Sequence, residues 1–196
     1  MSTKLAEAAV VRAGCLISGH FVFAAREHSL QKLELDNLWN HPRELAVILN
    51  QLARADGLPP ADAILGVPTG GQRLAEALAR PSYTRLPLIR LERIPGGTKQ
   101  DFRFMSQADQ TLAHEAASLR IYEDVVTTLS SIAGVVRLLN PNRQTIHSLA
   151  VWRRGTPRPQ YRTGFTDHYL IEKLLSSFEP TACPYPNCPN YRAQTV

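Results

Sequence analysis

One stretch restricts the fold more than any other. A β-favouring run, Ser118-Leu119-Arg120-Ile121-Tyr122, ends in two adjacent carboxylates, Glu123 and Asp124. A hydroxyl-rich turn, Thr127-Thr128-Leu129-Ser130-Ser131, then leads into an apolar, helix-like run from Ile132 to Leu139. This order places anionic side chains and a set of backbone N–H donors at the carboxyl end of one strand, where open α/β sheets collect their ligands. N–H groups that open a helix favour a phosphate. Carboxylates repel a phosphate and suit sugar hydroxyls or a metal ion instead. A ribose 5-phosphate meets both demands. A capped helix after a buried strand would explain the hydroxyls, but not a pair of carboxylates beside an apolar strand.

The rest of the chain alternates strand-like and helix-like runs. Residues 1–12 read as an amphipathic helix ended by Gly14, and residues 19–25 and 31–36 as strands. His41-Pro42 opens a helix, since proline is tolerated at the first helical position. Ala61 to Val67 reads as a buried strand, Pro68-Thr69-Gly70-Gly71 as a turn, and Leu74 to Ala79 as a helix. Leu86–Leu91 and Thr145–Trp152 are further strands, and Tyr169 to Leu175 is expected to be a short final helix. Residues 92–110 show little periodicity, and a connection that long is usually functional or mobile. Such alternation implies a mostly parallel sheet covered on both faces.

At 196 residues and 44% hydrophobic, the chain can build one full core. The net charge of +5 suits an anionic ligand. The basic residues form no stripe interleaved with aromatics, so nucleic acid is an unlikely partner. No run reaches transmembrane length. Three cysteines make no regular framework and point to a reducing cytoplasm. Cys183 and Cys188 amount to half a structural zinc site; His168 would join only by folding back, and Cys15 is remote in sequence. A proline-rich tail with two free thiols is the simpler expectation, with a disulfide left open. His20, His114 and His147 read as structural.

Glu123-Asp124-Val125-Val126-Thr127-Thr128 resembles the ribose-phosphate motif of the type I phosphoribosyltransferases, and glutamate before aspartate is most like the orotate enzymes. Leu129 stands where the family has glycine. Phe21-Val22-Phe23, His28-Ser29 and the segment Asp36 to Pro42 match the spacing of the hood over the pyrimidine, with Ala25-Arg26, Lys32 and Leu35 departing from it. Val67 to Arg73 resembles the family's pyrophosphate loop. In the segment that resembles the mobile catalytic loop, Arg90 and Glu92 align, and Leu91 and Ile94 replace lysines; Arg93 and Lys99 are left to supply positive charge, with Arg103 a lesser candidate.

The resemblance implies the type I phosphoribosyltransferase fold, with a central, mostly parallel sheet flanked by helices and a small N-terminal hood. Residues 1–178 would form one domain (1–42 hood, 43–152 core), and 179–196 a tail. The implied reaction transfers the 5-phosphoribosyl group of phosphoribosyl diphosphate to a nitrogenous base, with orotate favoured, and releases pyrophosphate. Asp124, Glu123, Arg93 and Lys99 would be catalytic. Thr127, Thr128, Leu129, Ser130 and Ser131 would hold the 5-phosphate, and Thr69, Gly70, Gly71 and Arg90 the pyrophosphate. Glu123 and Asp124 would also meet Mg²⁺, and the resemblance implies a homodimer. Loss of the loop lysines and the motif glycine leaves an alternative: a catalytically impaired relative that binds a phosphoribosyl ligand in a regulatory role.

Overall fold

The computed structural model describes residues 3–23, 26–54, 57–184 and 188. In chain order the elements are α1 (Thr3–Arg12), β1 (Leu16–Val22), β2 (His28–Leu33), a 3₁₀ turn (Leu35–Asn40), α2 (Pro42–Arg54), β3 (Ala63–Gly66), α3 (Gly70–Leu78) and β4 (Leu88–Ile89). They continue with β5 (Leu91–Arg93), β6 (Phe102–Phe104), α4 (Gln107–Glu115), β7 (Ser118–Val126), α5 (Ser130–Val136), β8 (Thr145–Arg153) and β9 (Thr166–Glu172).

Five strands form one parallel sheet in the order β4-β3-β7-β8-β9. β7 lies at its centre, and Leu119 to Glu123 are buried without alternation, as expected of a strand covered on both faces. Neighbouring residues of each strand feed opposite cores. Ile64, Tyr122 and Leu149 pack with α1, α2 and α3, whereas Leu65, Ile121 and Ala150 pack with α4 and α5. From β3 the chain first moves outward to β4 and later returns on the other side of β3 as β7. The topological switch point therefore lies between the carboxyl ends of β3 and β7, where such sheets bind ligands.

Outside this sheet, β1 and β2 form an antiparallel hairpin within the region expected to be the hood. Its first strand starts at Leu16 rather than residue 19, and its second ends at Leu33. Leu35 and Leu38 are both buried three residues apart, the repeat of a 3₁₀ turn, so the second strand expected over 31–36 stops short. Helix α1 packs against α2 and β9, and the core sheet extends past residue 152 to Glu172.

Two expectations are corrected. Tyr169 to Leu175 does not form a helix, because its first part belongs to β9. The outer edge of β8 needs a backbone partner, and Tyr169-Leu170-Ile171 suits a strand. Residues 92–110 are not one irregular connection either. They contain the β5–β6 hairpin and the start of α4, whose N-cap Ser106 accepts a hydrogen bond from the N–H of Asp109 at 3.1 Å. Among the described residues, no helix is long and apolar enough to cross a membrane.

Candidate active site

Two turns meet at the switch point. The first follows β3 and runs from Val67 into α3. The second begins in the last residues of β7, at Asp124, and runs into α5. They touch through glycine: a Cβ on Gly70 would overlap the carboxylate of Asp124, and one on Gly71 would overlap the carbonyl of Tyr122. These close approaches need glycine at both positions. The N–H of Val67 donates to the Tyr122 carbonyl at 2.9 Å, tying the turn to β7. The peptide bond between Pro68 and Thr69 is cis.

The paired carboxylates have different environments. Asp124 lines a cleft with Asp36, Trp39, Gly70 and Leu74, and its Oδ1 accepts the N–H of Val125 at 2.7 Å. Glu123 lies behind it, buried, and its Oε1 accepts the N–H of Asp124 at 3.2 Å. Burial, then the hydrogen bond to and charge of Asp124, push the Glu123 carboxyl well above the usual carboxylate range. Of the two, Asp124 lines the cleft and Glu123 does not; the Glu123 carboxyl holds the Asp124 N–H.

In the hydroxyl-rich turn, Leu129 adopts left-handed backbone at φ 72° and ψ 2°, the conformation that glycine takes most easily. This conformation costs about 1–2 kcal/mol for a residue with a side chain. The Leu129 side chain is 3% exposed and packed among Val126, Ile132 and Val135, a burial that contributes about 1.5–3 kcal/mol. The backbone geometry of the motif is therefore kept without its glycine. Thr128 Oγ1 donates to Ser130 Oγ at 3.1 Å. Among the described residues, the N–H groups of Thr128, Leu129, Ser130 and Ser131 donate to no acceptor outside the helix they open.

The β5–β6 hairpin leans over the first turn through Arg93. One guanidinium nitrogen donates to the Pro68 carbonyl at 2.6 Å and the other to the Lys99 carbonyl at 2.7 Å. The guanidinium also lies 5.2 Å from the centre of the Phe102 ring. This places a fixed cation against the Pro68-Thr69-Gly70-Gly71 turn, with exposed Lys99 in the hairpin loop beside it.

No family model matches the chain. Orotate phosphoribosyltransferase of Caldicellulosiruptor bescii is 26% identical over 171 residues, which is 86% of this chain and 84% of that protein. The crystal structure of orotate phosphoribosyltransferase from Aeropyrum pernix superimposes with a TM-score of 0.63 at 22% identity, covering 86% of this chain and 93% of that one. This chain has the type I phosphoribosyltransferase fold. In sequence, orotate phosphoribosyltransferase of Thermotoga maritima also matches, at 27% identity over 174 residues, 88% of this chain and 87% of that protein. The fold does not choose the base, because adenine phosphoribosyltransferase from Rhodothermus marinus matches with a TM-score of 0.61 at 13% identity, covering 85% of this chain and 99% of that one.

Other loop residues of this phosphoribosyltransferase fold are less directly placed. The backbone N–H of Arg90 is held by Asp109 on α4 at 2.8 Å, and among the described residues its guanidinium makes no hydrogen bond or ion pair with either turn. Arg103 pairs with Glu92 across the hairpin at 2.7 Å. Leu91 is buried and serves the core. Two further arginines also flank the site. Arg73, the last residue of the expected pyrophosphate turn, pairs with Asp36 at 2.6 Å and lies 4.4 Å from the Trp39 ring centre, and both partners line the Asp124 cleft. Arg154, at the carboxyl end of β8, stacks on Phe23 of the hood segment at 5.0 Å, and its N–H donates to the Val126 carbonyl at 2.9 Å. Its place just after the Thr145–Trp152 strand is the signal the sequence offers for it.

Proposed function

We propose that the chain is a phosphoribosyltransferase that transfers the 5-phosphoribosyl group of phosphoribosyl diphosphate to a nitrogenous base, with orotate favoured. The observation that supports this is the close approach of Gly70 to the Asp124 carboxylate at the switch point, on the strand whose end leads into the turn Thr127 to Ser131. In this reading the amides and hydroxyls of Thr127 to Ser131 hold the 5-phosphate, and Asp124 orients the ribose hydroxyls. The turn at Thr69-Gly70-Gly71 takes the diphosphate, with Arg93 and Lys99 offsetting the negative charge that develops as it leaves. The base nitrogen forms a bond to C1 as the C1–oxygen bond to pyrophosphate breaks, through an oxocarbenium-like transition state. Holding both ends of the substrate supplies most of the barrier lowering expected of positioning.

Mg²⁺ belongs to this proposal. Asp124 offers carboxylate oxygen at the mouth of the cleft, the donor type that a hard cation takes, whereas buried Glu123 favours its neutral form and suits a supporting role. When bound, the ion would neutralise diphosphate charge. Orotate is an anion, and Arg154 beside the hood suits it better than it suits a neutral purine. A homodimer is also part of the proposal, supported by the exposed apolar side chains Ile94 and Met105 beside the hairpin. A cytoplasmic home suits the three free thiols.

A second reading is favoured by the same hairpin. Leu91 and Ile94 leave no lysine before Lys99, and Arg93 is occupied by two carbonyls, so the site could bind the sugar diphosphate without transfer. Pyrophosphate release, measured with phosphoribosyl diphosphate, Mg²⁺ and a panel of bases, decides. Release with orotate and not with uracil or purines supports transfer. No release with any base supports the binding reading.

A further inference from the structure

Four side chains converge outside the cleft. His20 and His28 come from the two strands of the hood hairpin, and Cys183 and Cys188 from the C-terminal segment. One donor atom from each lies within 4.8 Å of all the others. His20 Nε2 is 2.9 Å from His28 Nδ1, 3.4 Å from Cys183 Sγ and 3.5 Å from Cys188 Sγ. Cys188 Sγ is also 3.3 Å from His28 Nδ1. A ring nitrogen carries either one N–H or one lone pair, so His20 Nε2 cannot serve three neighbours as hydrogen bonds. A single cation at the centre serves all four donors at once. With zinc–nitrogen bonds of about 2.0–2.1 Å and zinc–sulfur bonds of about 2.3 Å, a regular tetrahedron has edges of roughly 3.3–3.8 Å. The three nitrogen–sulfur separations of 3.3, 3.4 and 3.5 Å lie close to those edges, the nitrogen–nitrogen separation of 2.9 Å is shorter, and no pair of donors exceeds 4.8 Å.

The chain builds this cluster by two devices. The pairing of β1 with β2 slips by one residue between Ser18 and Phe21. Before the slip Ser18 faces Gln31, and after it Val22 faces His28. Without the extra residue, His20 would point to the face of the hairpin opposite His28. With it, His20 and Val22 share the His28 face, because side chains two apart on a strand point the same way. The second device is a clamp on the C-terminal segment. His28 and Phe178 exchange backbone hydrogen bonds at 2.8 Å each, and Ser29 Oγ donates to the Ser176 carbonyl at 2.8 Å. A 3₁₀ turn over Pro180–Ala182 then delivers Cys183 to the cluster. The four residues between Cys183 and Cys188 match the short spacing of paired zinc ligands.

We propose that His20, His28, Cys183 and Cys188 bind one Zn²⁺ in a closed structural site that fastens the C-terminal segment to the hood hairpin. Two thiolates with two imidazoles select zinc over the hard cations. Four protein ligands leave no open position, so the ion holds structure rather than performing chemistry. The site shares no residue with the Asp124 cleft and does not depend on the transferase reading.

The test uses the full chain. Protein purified under reducing conditions is dialysed, and its zinc is measured by mass spectrometry. About one zinc per chain is expected, with none retained by Cys183→Ser/Cys188→Ser or by His20→Ala. His147→Gln, which alters the separate histidine pair on β8 and β9, should retain its zinc. Should the variants fail to fold, Co²⁺ added to the metal-free parent chain decides alone. Intense visible bands with a thiolate charge-transfer band support a tetrahedral sulfur-ligated site. A weak octahedral spectrum, retention of zinc by the folded double cysteine variant, or a Cys183–Cys188 disulfide in the reduced preparation would overturn the proposal.

Discussion

Gly70, the first residue of α3, lies against the carboxylate of Asp124 so closely that no side chain fits between them. The turn assigned to pyrophosphate and the residue assigned to ribose are therefore one packed unit. Gly70→Ala should displace Asp124 and weaken phosphoribosyl diphosphate binding at least tenfold, with a stability loss of about 1–3 kcal/mol from overpacking. Titration calorimetry and a denaturant melt together check this. Unchanged affinity in the alanine variant would separate the two turns functionally.

Arg93 is fixed against the first turn, whereas Lys99 is exposed in the hairpin loop. Arg93→Ala should lower kcat for pyrophosphate release roughly a hundredfold, as removal of one preorganised charge-stabilising donor does. Lys99→Ala should have a smaller effect. Steady-state kinetics on both variants gives the ranking, and the reverse order would move the leaving-group role to Lys99.

Leu129 sets left-handed strain against burial. Leu129→Gly relieves about 1–2 kcal/mol of strain but loses a buried leucine, a change that costs about 2–5 kcal/mol when truncated to alanine. The net expectation is destabilisation by about 1–3 kcal/mol, with affinity for phosphoribosyl diphosphate retained because the N–H stays in place. Chemical denaturation and a binding titration measure the two terms. A more stable glycine variant would mean that strain outweighs packing at this position.

How far the sequence could be read depended on whether the signal was local. The β3 and β7 turns were legible because carboxylates, glycines and hydroxyls lie within a few residues of one another in each. Helix α4 was not, since only Asp109 and Ala113 are buried along it and the apolar period is nearly silent; the Ser106 cap was its readable sign. β9 was missed because strand and helix patterns compete over Tyr169 to Leu175 and the free edge of β8 decides. The partners of Cys183 and Cys188 were hidden for a different reason. A one-residue slip in hairpin pairing determines the face on which His20 lies, and no composition or spacing announces it.

His147 and His168 sit 3.0 Å apart, Nδ1 to Nε2, on β8 and β9. Burial first, then Arg120, lowers the His147 pKa. Burial first, then His147, lowers that of His168, against an opposing pull from Asp167. Below the ordinary histidine value of about 6.5 the unfolded chain binds more protons than the folded one, so stability decreases as the pH is lowered. The pair's contribution is complete above that value and is lost as pH drops toward the lowered folded pKa values. The melting temperature should decline below about pH 6.5, and less steeply in His147→Gln/His168→Gln. Equal slopes in parent and variant would remove the pair from the pH response.

The central claim is that Asp124 and the amides after Thr127 together grip a phosphorylated pentose. Calorimetric titration of phosphoribosyl diphosphate with Mg²⁺ into the parent chain and into Asp124→Asn tests it most directly. The account expects saturable binding to the parent and at least tenfold weaker binding to a variant that still melts cooperatively. Equal affinity in the two, or no binding to the parent at millimolar ligand, would contradict it.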